Sequence, residues 1–373
     1  MWQPLSPSVP TTTVVCVDIS WIRRWQFAVP GFGGCRHIRG IVLTNEAASP
    51  TIASDWLAAR TGPRILDGSR VAGIVAIGER FMAGVSTLEE VHLGEAFLSS
   101  VNRIGGEFFR GCTSLTALNL STLGTQAQLT SIPSHFLSNC GALRELTLSR
   151  MDHVTSVGDH FLSAAASLEA IDLCEAMPNL TALGSSFLSS CVRLRYAKFG
   201  QALSVVCNVP SDFLSRCKSL VSLDLTMLRS VTAIQASFLQ GCSSLSELLL
   251  PRFASSNEEV EGPPLDHGSQ LRKIGKFFLS QCASLAYVDV EFFRNVTDIG
   301  DSFLTGCCRL ADMSGVFPTL PLSSVVTVGA NFLQDCSNLT AFDFGVFEHH
   351  LSQFNSAGLF SGCSSLADVG NLD

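Results

Sequence analysis

The chain has 373 residues, 46% of them hydrophobic and 15% charged, a composition that supplies ample material for a packed core. A formal net charge of -8 and a pI near 5.5 argue against the basic footprint of a nucleic-acid binder or of a protein held on an anionic membrane, and leave a basic partner the easier one to accommodate. The 25 Phe against 2 Tyr and 4 Trp point to aromatic rings placed where a hydroxyl would find no partner, so those rings are expected to be buried.

Residues 1–30 read as an irregular N-terminal segment. "MWQPLSPSVPTTTVVCVDIS" has no positive n-region and no apolar run of signal-peptide length, and no stretch in the chain approaches the roughly 18 apolar residues of a membrane span. That absence favours an intracellular protein without membrane insertion. The chain stops at "CSSLADVGNLD", inside a recurring unit, as a fragment would, and a fragment would leave a cell-surface location open.

From residue 31 onward the sequence is organised by self-similarity. Residues 31–73 read as degenerate repeat, with "CRHIRGIVL" keeping a C-x-x-I-x-x-I-x-L spacing from Cys35. Residues 74–373 carry 11 copies of one unit, anchored on Phe81, Phe108, Phe136, Phe161, Phe187, Phe213, Phe238, Phe278, Phe303, Phe332 and Leu359, mostly 25 to 29 residues apart with one gap of 40. Seven positions after every anchor stands Leu, and ten positions after it an apolar residue. In "FLSRCKSL" the residues Phe213, Cys217 and Leu220 fall at i, i+4 and i+7, which predicts a short helical turn. Directly afterwards Leu223 and Leu225 alternate with Ser222 and Asp224, the pattern of a strand with one face buried. An apolar residue followed by Gly, Pro or another small or polar residue, as in Ile104-Gly105, Ile132-Pro133 and Ile299-Gly300, reads as a turn into the helix. No unit can bury its apolar side alone, so the copies must stack into an α/β solenoid: a right-handed coil with a parallel sheet on one face and short helices on the other. The wide gap holds an insertion, residues 251–270, polar and acidic around Gly-Pro-Pro. It reads as a surface loop, either merely tolerated or used in binding.

"F-L-x-x-C-x-x-L" followed by "LxxLxL", with "I-G" upstream, resembles the BspA-type (Treponema-type) leucine-rich repeat over residues 74–371. The resemblance implies a repeat fold shared far more widely than any partner, in proteins many of which act as surface or adhesive binding modules.

Nine of the 14 cysteines, Cys112, Cys140, Cys191, Cys217, Cys242, Cys282, Cys307, Cys336 and Cys363, occupy one column, where the remaining copies place Val85 and Ala165. A column that accepts Val and Ala asks for a small apolar side chain, so these thiols are expected to be reduced and buried. Zinc-ligand spacings are absent, and no metal or cofactor is expected. The sequons at Asn119, Asn179, Asn295 and Asn338 are what the repeat produces when Asn precedes its usual Leu-Thr or Val-Thr, and His349-His350 and Cys307-Cys308 lack a third group at a useful spacing. No nucleophile elbow, phosphate loop, dinucleotide fingerprint or H-E-x-x-H motif occurs, so the chain is not read as an enzyme.

Binding is then sought in the outward-facing columns nine and eleven positions after each anchor. Nine of their 22 residues are acidic and only Lys198 is a formal cation. Both tyrosines of the chain, Tyr196 and Tyr287, fall in the first of them, and tyrosine offers area and a hydrogen bond at low entropy cost. The candidate face comprises Glu145, Asp172, Tyr196, Lys198, Asp224, Glu247, Tyr287, Asp289 and Asp312, although Asp in the second column can equally be repeat consensus. The reading is a monomeric, non-catalytic scaffold that binds a protein partner on this acidic face. The alternative is a structural or adhesive surface array in which the length of the repeat, and no single face, matters.

Overall fold

The computed structural model describes residues 13–18, 38–44, 50–59, 62–125, 128–251, 269–288, 291–311, 324–343, 345, 347 and 352–370. The chain forms two compact units, residues 1–168 and 169–373. The insertion between 252 and 268, the Asp289 and Asp312 positions, the Phe32 and Cys35 positions and the His349-His350 pair fall outside the described residues.

Among the described residues most coils carry the front strand read from the period-2 pattern; residues 286–288, in the coil of Phe278, do not form one. In unit 1 the strands Thr13–Asp18, Ile38–Thr44, Ile65–Asp67 and Glu90–His92 pair in parallel in that order, and Ala117–Leu120 pairs with Glu145–Leu148. Thr13–Asp18 lies in the stretch expected to be irregular; its threonine and valine run favours extended backbone, and a neighbouring strand at Ile38–Thr44 gives it a partner. In unit 2 the pairs are Ala170–Asp172 with Tyr196–Lys198, Ser222–Asp224 with Glu247–Leu249, and Ala341–Asp343 with Asp368–Gly370. Most front strands bury a middle residue and expose at least one flank, as Ile171, Leu223 and Leu248 show, whereas Leu146 and Val369 are half-buried.

The other side of each coil differs from the expected helix. The "I-G" step is a second, two-residue parallel strand. Thr51–Ile52, Ala76–Ile77 and Arg103–Ile104 stack in unit 1, and Asn208–Val209, Ala233–Ile234, Lys273–Ile274, Asp298–Ile299, Thr327–Val328 and Gln353–Phe354 in unit 2. Between the two strands runs a chain of tight turns. Among the described residues helix is confined to Glu95–Leu98, a 3-10 turn at Glu291–Phe293 and 3-10 backbone at Gly345 and Phe347.

The reason is visible in the backbone. In the coil of Phe213, Asp212, Leu214 and Arg216 have φ of 59°, 52° and 60°, and the same three columns repeat this left-handed conformation through both units. Their amides leave the coil instead of closing helical turns: Leu214 N donates to Phe187 O at 2.9 Å, Asp212 N to Ala236 O at 2.9 Å and Arg216 N to Gln240 O at 2.6 Å. Alternating handedness still points Phe213, Leu214, Cys217 and Leu220 inward, all at 0% exposure, which is why the spacing imitates a helix face. None of the non-glycine residues with positive φ is Val, Ile or Thr, and β-branched side chains are the ones that tolerate that region least. Five of the eleven copies place Gly at the third of these columns, among them Gly241 at φ 74°.

The anchors form a ladder of rings through each core. In unit 1 Trp56, Phe81, Phe108, Phe136 and Phe161 stack with centroids 5.1 to 5.9 Å apart, so Trp56 anchors a further coil ahead of Phe81. In unit 2 Phe187, Phe213, Phe238, Phe278, Phe303 and Phe332 do the same at 5.2 to 5.8 Å. The 5.2 Å step from Phe238 to Phe278 shows that the insertion leaves coil spacing intact. With a ring above and below, a tyrosine hydroxyl would meet only apolar atoms.

Beside this ladder the cysteine column has a duty beyond filling space. Cys242 Sγ donates to Leu214 O at 3.2 Å, Cys217 Sγ to Leu188 O at 3.1 Å and Cys112 Sγ to Met82 O at 3.2 Å. Each thiol thus satisfies the carbonyl of a left-handed residue in the coil before it. Burial pushes the Cys242 and Cys140 thiols up to about 12. The twelve cysteines from Cys112 to Cys363 are free, and in the column only Cys363 is not fully buried.

Candidate partner-binding face

The front sheet of unit 2 brings together most of the residues singled out from the sequence. Register places Asp172 beside Lys198, Ala170 beside Tyr196, Ser222 beside Glu247 and Asp224 beside Leu249. Asp172, Lys198, Asp224 and Glu247 are exposed, and Tyr196 and Tyr287 expose 55% and 48% of their surface. Glu145 is exposed on the front sheet of unit 1, beside Ala117.

The two outward columns are not alike. In the second, the acidic or amide oxygen closes an Asx turn at the end of the strand. Asp172 Oδ1 accepts from Cys174 N at 3.0 Å, Asp224 Oδ1 from Thr226 N at 2.9 Å and Asp343 Oδ1 from Gly345 N at 2.8 Å; Asp67 and Asn119 do the same for Ser69 and Ser121 in unit 1. Thr226 Oγ1 adds a second bond to Asp224 at 2.7 Å. These side chains replace the next inter-strand partner as the chain leaves the sheet. The backbone amide of Cys174 holds the Asp172 carboxyl below the usual range, with the Cys174 side chain and, more weakly, Lys198 adding to it. Asn119 shows that the turn needs the oxygen and not the charge. The second column, read from the sequence as outward-facing surface, therefore also has a structural duty in closing the turn.

The first column is turned to solvent without such a role at Glu145, Tyr196 and Glu247. Around Tyr196 the flanking column positions are small, Ala170 and Ser222, so its ring stands above a low floor. Two further apolar side chains lie on the same unit's sheet region, Val221 at 44% and Leu249 at 41% exposure. The sequence signal for them was an aliphatic residue in columns otherwise polar at most copies. Elsewhere, a shallow depression in unit 1 is lined by Leu129, Arg150, Met151 and His153, with Arg150 Nε held by Asp152 Oδ1 at 2.8 Å. Among the described residues no group of three His, Cys, Asp or Glu is placed to hold a metal ion, and no helix is long and apolar enough to cross a membrane.

These features match known repeat proteins. The crystal structure of a leucine-rich repeat protein from Bacteroides ovatus ATCC 8483 superimposes with a TM-score of 0.56 at 20% identity, over 80% of this chain and 64% of that one. This chain therefore spans less than two thirds of that protein's length. A leucine rich cell surface protein from Faecalibacterium prausnitzii A2-165 matches with a TM-score of 0.50 at 16% identity, over 95% of this chain and 82% of that one. Both likenesses are of fold. Curated protein sequences give no significant match. The model of the BspA type leucine rich repeat region matches residues 75–220 and 264–370 in 6 copies. Together with the ring ladder, the thiol column and the paired parallel stacks, this match over more than half of its length places the chain in the BspA-type leucine-rich repeat family.

Proposed function

We propose that this chain is a non-catalytic interaction scaffold, and that a protein partner docks on the front sheet of residues 169–373 with Tyr196 as its anchor. The observation that carries the reading is Tyr196 itself: a large amphipathic ring, 55% exposed, where most of the aromatic residues described are buried in the core. Tyr287, Val221 and Leu249 supply further exposed apolar area, and Glu247 with the outer oxygens of Asp172 and Asp224 gives the patch an acidic rim. A partner with an aliphatic or aromatic centre flanked by Lys or Arg complements it. Asp289 and Asp312 occupy the same columns in the sequence, and Glu145 holds the corresponding exposed position on the sheet of unit 1 taken by itself. The F. prausnitzii protein is named as a cell surface protein; at 16% identity that name does not transfer, and a surface array stands as the competing outcome.

A photo-crosslinking residue at Tyr196 and, separately, at Ser352 beside the back strand Gln353–Phe354 tests the proposal in the intact chain. A discrete adduct from position 196 alone, whose purified partner binds the wild type and loses affinity for Tyr196→Ala, is expected. Equal adducts from both faces, or a partner indifferent to Tyr196→Ala, would favour the array.

A further inference from the structure

A different part of the molecule carries a second reading, independent of any partner. In unit 1 the coils of Phe136 and Phe161 are joined by the same kind of seam that closes the other coils. His135 N donates to Asp159 O at 2.7 Å, Asp159 N to Ser134 Oγ at 3.1 Å, and Asn139 N to Ser163 O at 2.7 Å. A Cβ added at Gly158 would lie 2.5 Å from Ser134 N, so the two backbones already touch. Over this seam the rings of His135 and His160 stack face to face, centroids 4.5 Å apart and 9° from parallel. Both residues sit in the left-handed column at φ 60°, so neither backbone is free to swing its ring away without losing the turn.

The surroundings favour a neutral His135 ring. The groups facing His135 are His160 and Asp159 from the following coil, Glu107 and Arg110 from the preceding one, and the Ser138 hydroxyl, whose Oγ lies 3.5 Å from His135 Nδ1. The Glu107 carboxylate is already engaged by Arg110 Nη1 at 3.1 Å and Arg80 Nε at 3.8 Å. Burial first, then His160 and Arg110, lower the affinity of His135 for a proton; Glu107 and Asp159 oppose this less strongly.

We propose that the His135–His160 stack is a proton-operated seam: neutral, it holds the two coils together, and protonation sets cation against cation across 4.5 Å and releases the hydrogen bonds beneath. The sign follows from linkage. A histidine depressed in the fold contributes stability fully present above its unfolded value near 6.5, and that contribution is lost as pH falls from there through the folded value.

The test is amide hydrogen exchange on the intact chain at about pH 7.5 and about pH 5.5, corrected for intrinsic exchange, in wild type, His135→Asn, His160→Asn and the double variant. Asparagine is neutral at both values and tolerates left-handed backbone. In wild type the amides of His135 and Asn139 should lose protection by about threefold to tenfold on acidification, and the double variant should lose that response. An undiminished response in the double variant would overturn the proposal, as would greater protection at the lower pH. Should a variant fold poorly, titration of the imidazole resonances in wild type decides: His135 titrating at or above the value of free histidine contradicts the seam.

Discussion

At the scale of single residues, one backbone property explains more of this sequence than any side-chain chemistry. Leu214 is buried and left-handed at φ 52°, so its side chain must be apolar yet unbranched at Cβ. Leu214→Val is therefore expected to cost about 2 to 4 kcal/mol in urea unfolding, because strain at the left-handed residue adds to lost volume, whereas Leu223→Ile in the front strand should cost less than about 1.5 kcal/mol. Equal costs would show that the turn relaxes. Leu220→Ala should cost about 2 to 5 kcal/mol by opening a cavity beside the cysteine column, against a change within about 0.5 kcal/mol for Ser222→Ala. The thiols provide a third check. Cys242 is buried and pushed up to about 12, so it should resist maleimide until denaturant is added, while exposed Cys207 and Cys308 label at once. Rapid native labelling of Cys242 would refute the packed column.

At the scale of the element, the front strand was legible in the sequence and the turn was not. Period-2 alternation has one structural reading when an eleven-fold repeat confirms its phase. The Phe213, Cys217 and Leu220 spacing has two, since a helix and a run of alternating-handed turns both bring those positions inward. What separates them is negative, the want of Val, Ile and Thr at the columns of Asp212, Leu214 and Arg216, and it shows only once the copies are aligned. The candidate face was legible in the same partial way. Outward orientation follows from phase, but an aspartate whose oxygen closes a turn looks in sequence like one offered to a partner. The distinction changes how the face must be tested: Asp224→Asn keeps the acceptor for Thr226 and removes only charge, whereas Asp224→Ala should cost about 0.5 to 1.5 kcal/mol through the lost turn. If Asn and Ala destabilise alike, charge and not the turn is what the fold uses there.

At the scale of the whole molecule, nearly every apolar column is consumed by stacking, and among the described residues no three His, Cys, Asp or Glu side chains are placed to hold a metal ion. What the repeat leaves over is surface, and on the sheet of unit 2 that surface carries Tyr196. A scaffold of this kind should separate its two contributions to binding: the ring sets residence, and the acidic rim sets encounter. The most direct measurement is the association and dissociation kinetics of the partner captured at position 196, with wild type, Tyr196→Ala and the Asp172→Asn, Asp224→Asn double variant, each at low and moderate salt. The account predicts faster dissociation for Tyr196→Ala with association little changed. For the double Asn variant it predicts slower association, a flatter salt dependence and unchanged unfolding. Kinetics identical across all three proteins, with binding lost only when residues 252–268 are deleted, would contradict it and move the site from the sheet to the insertion.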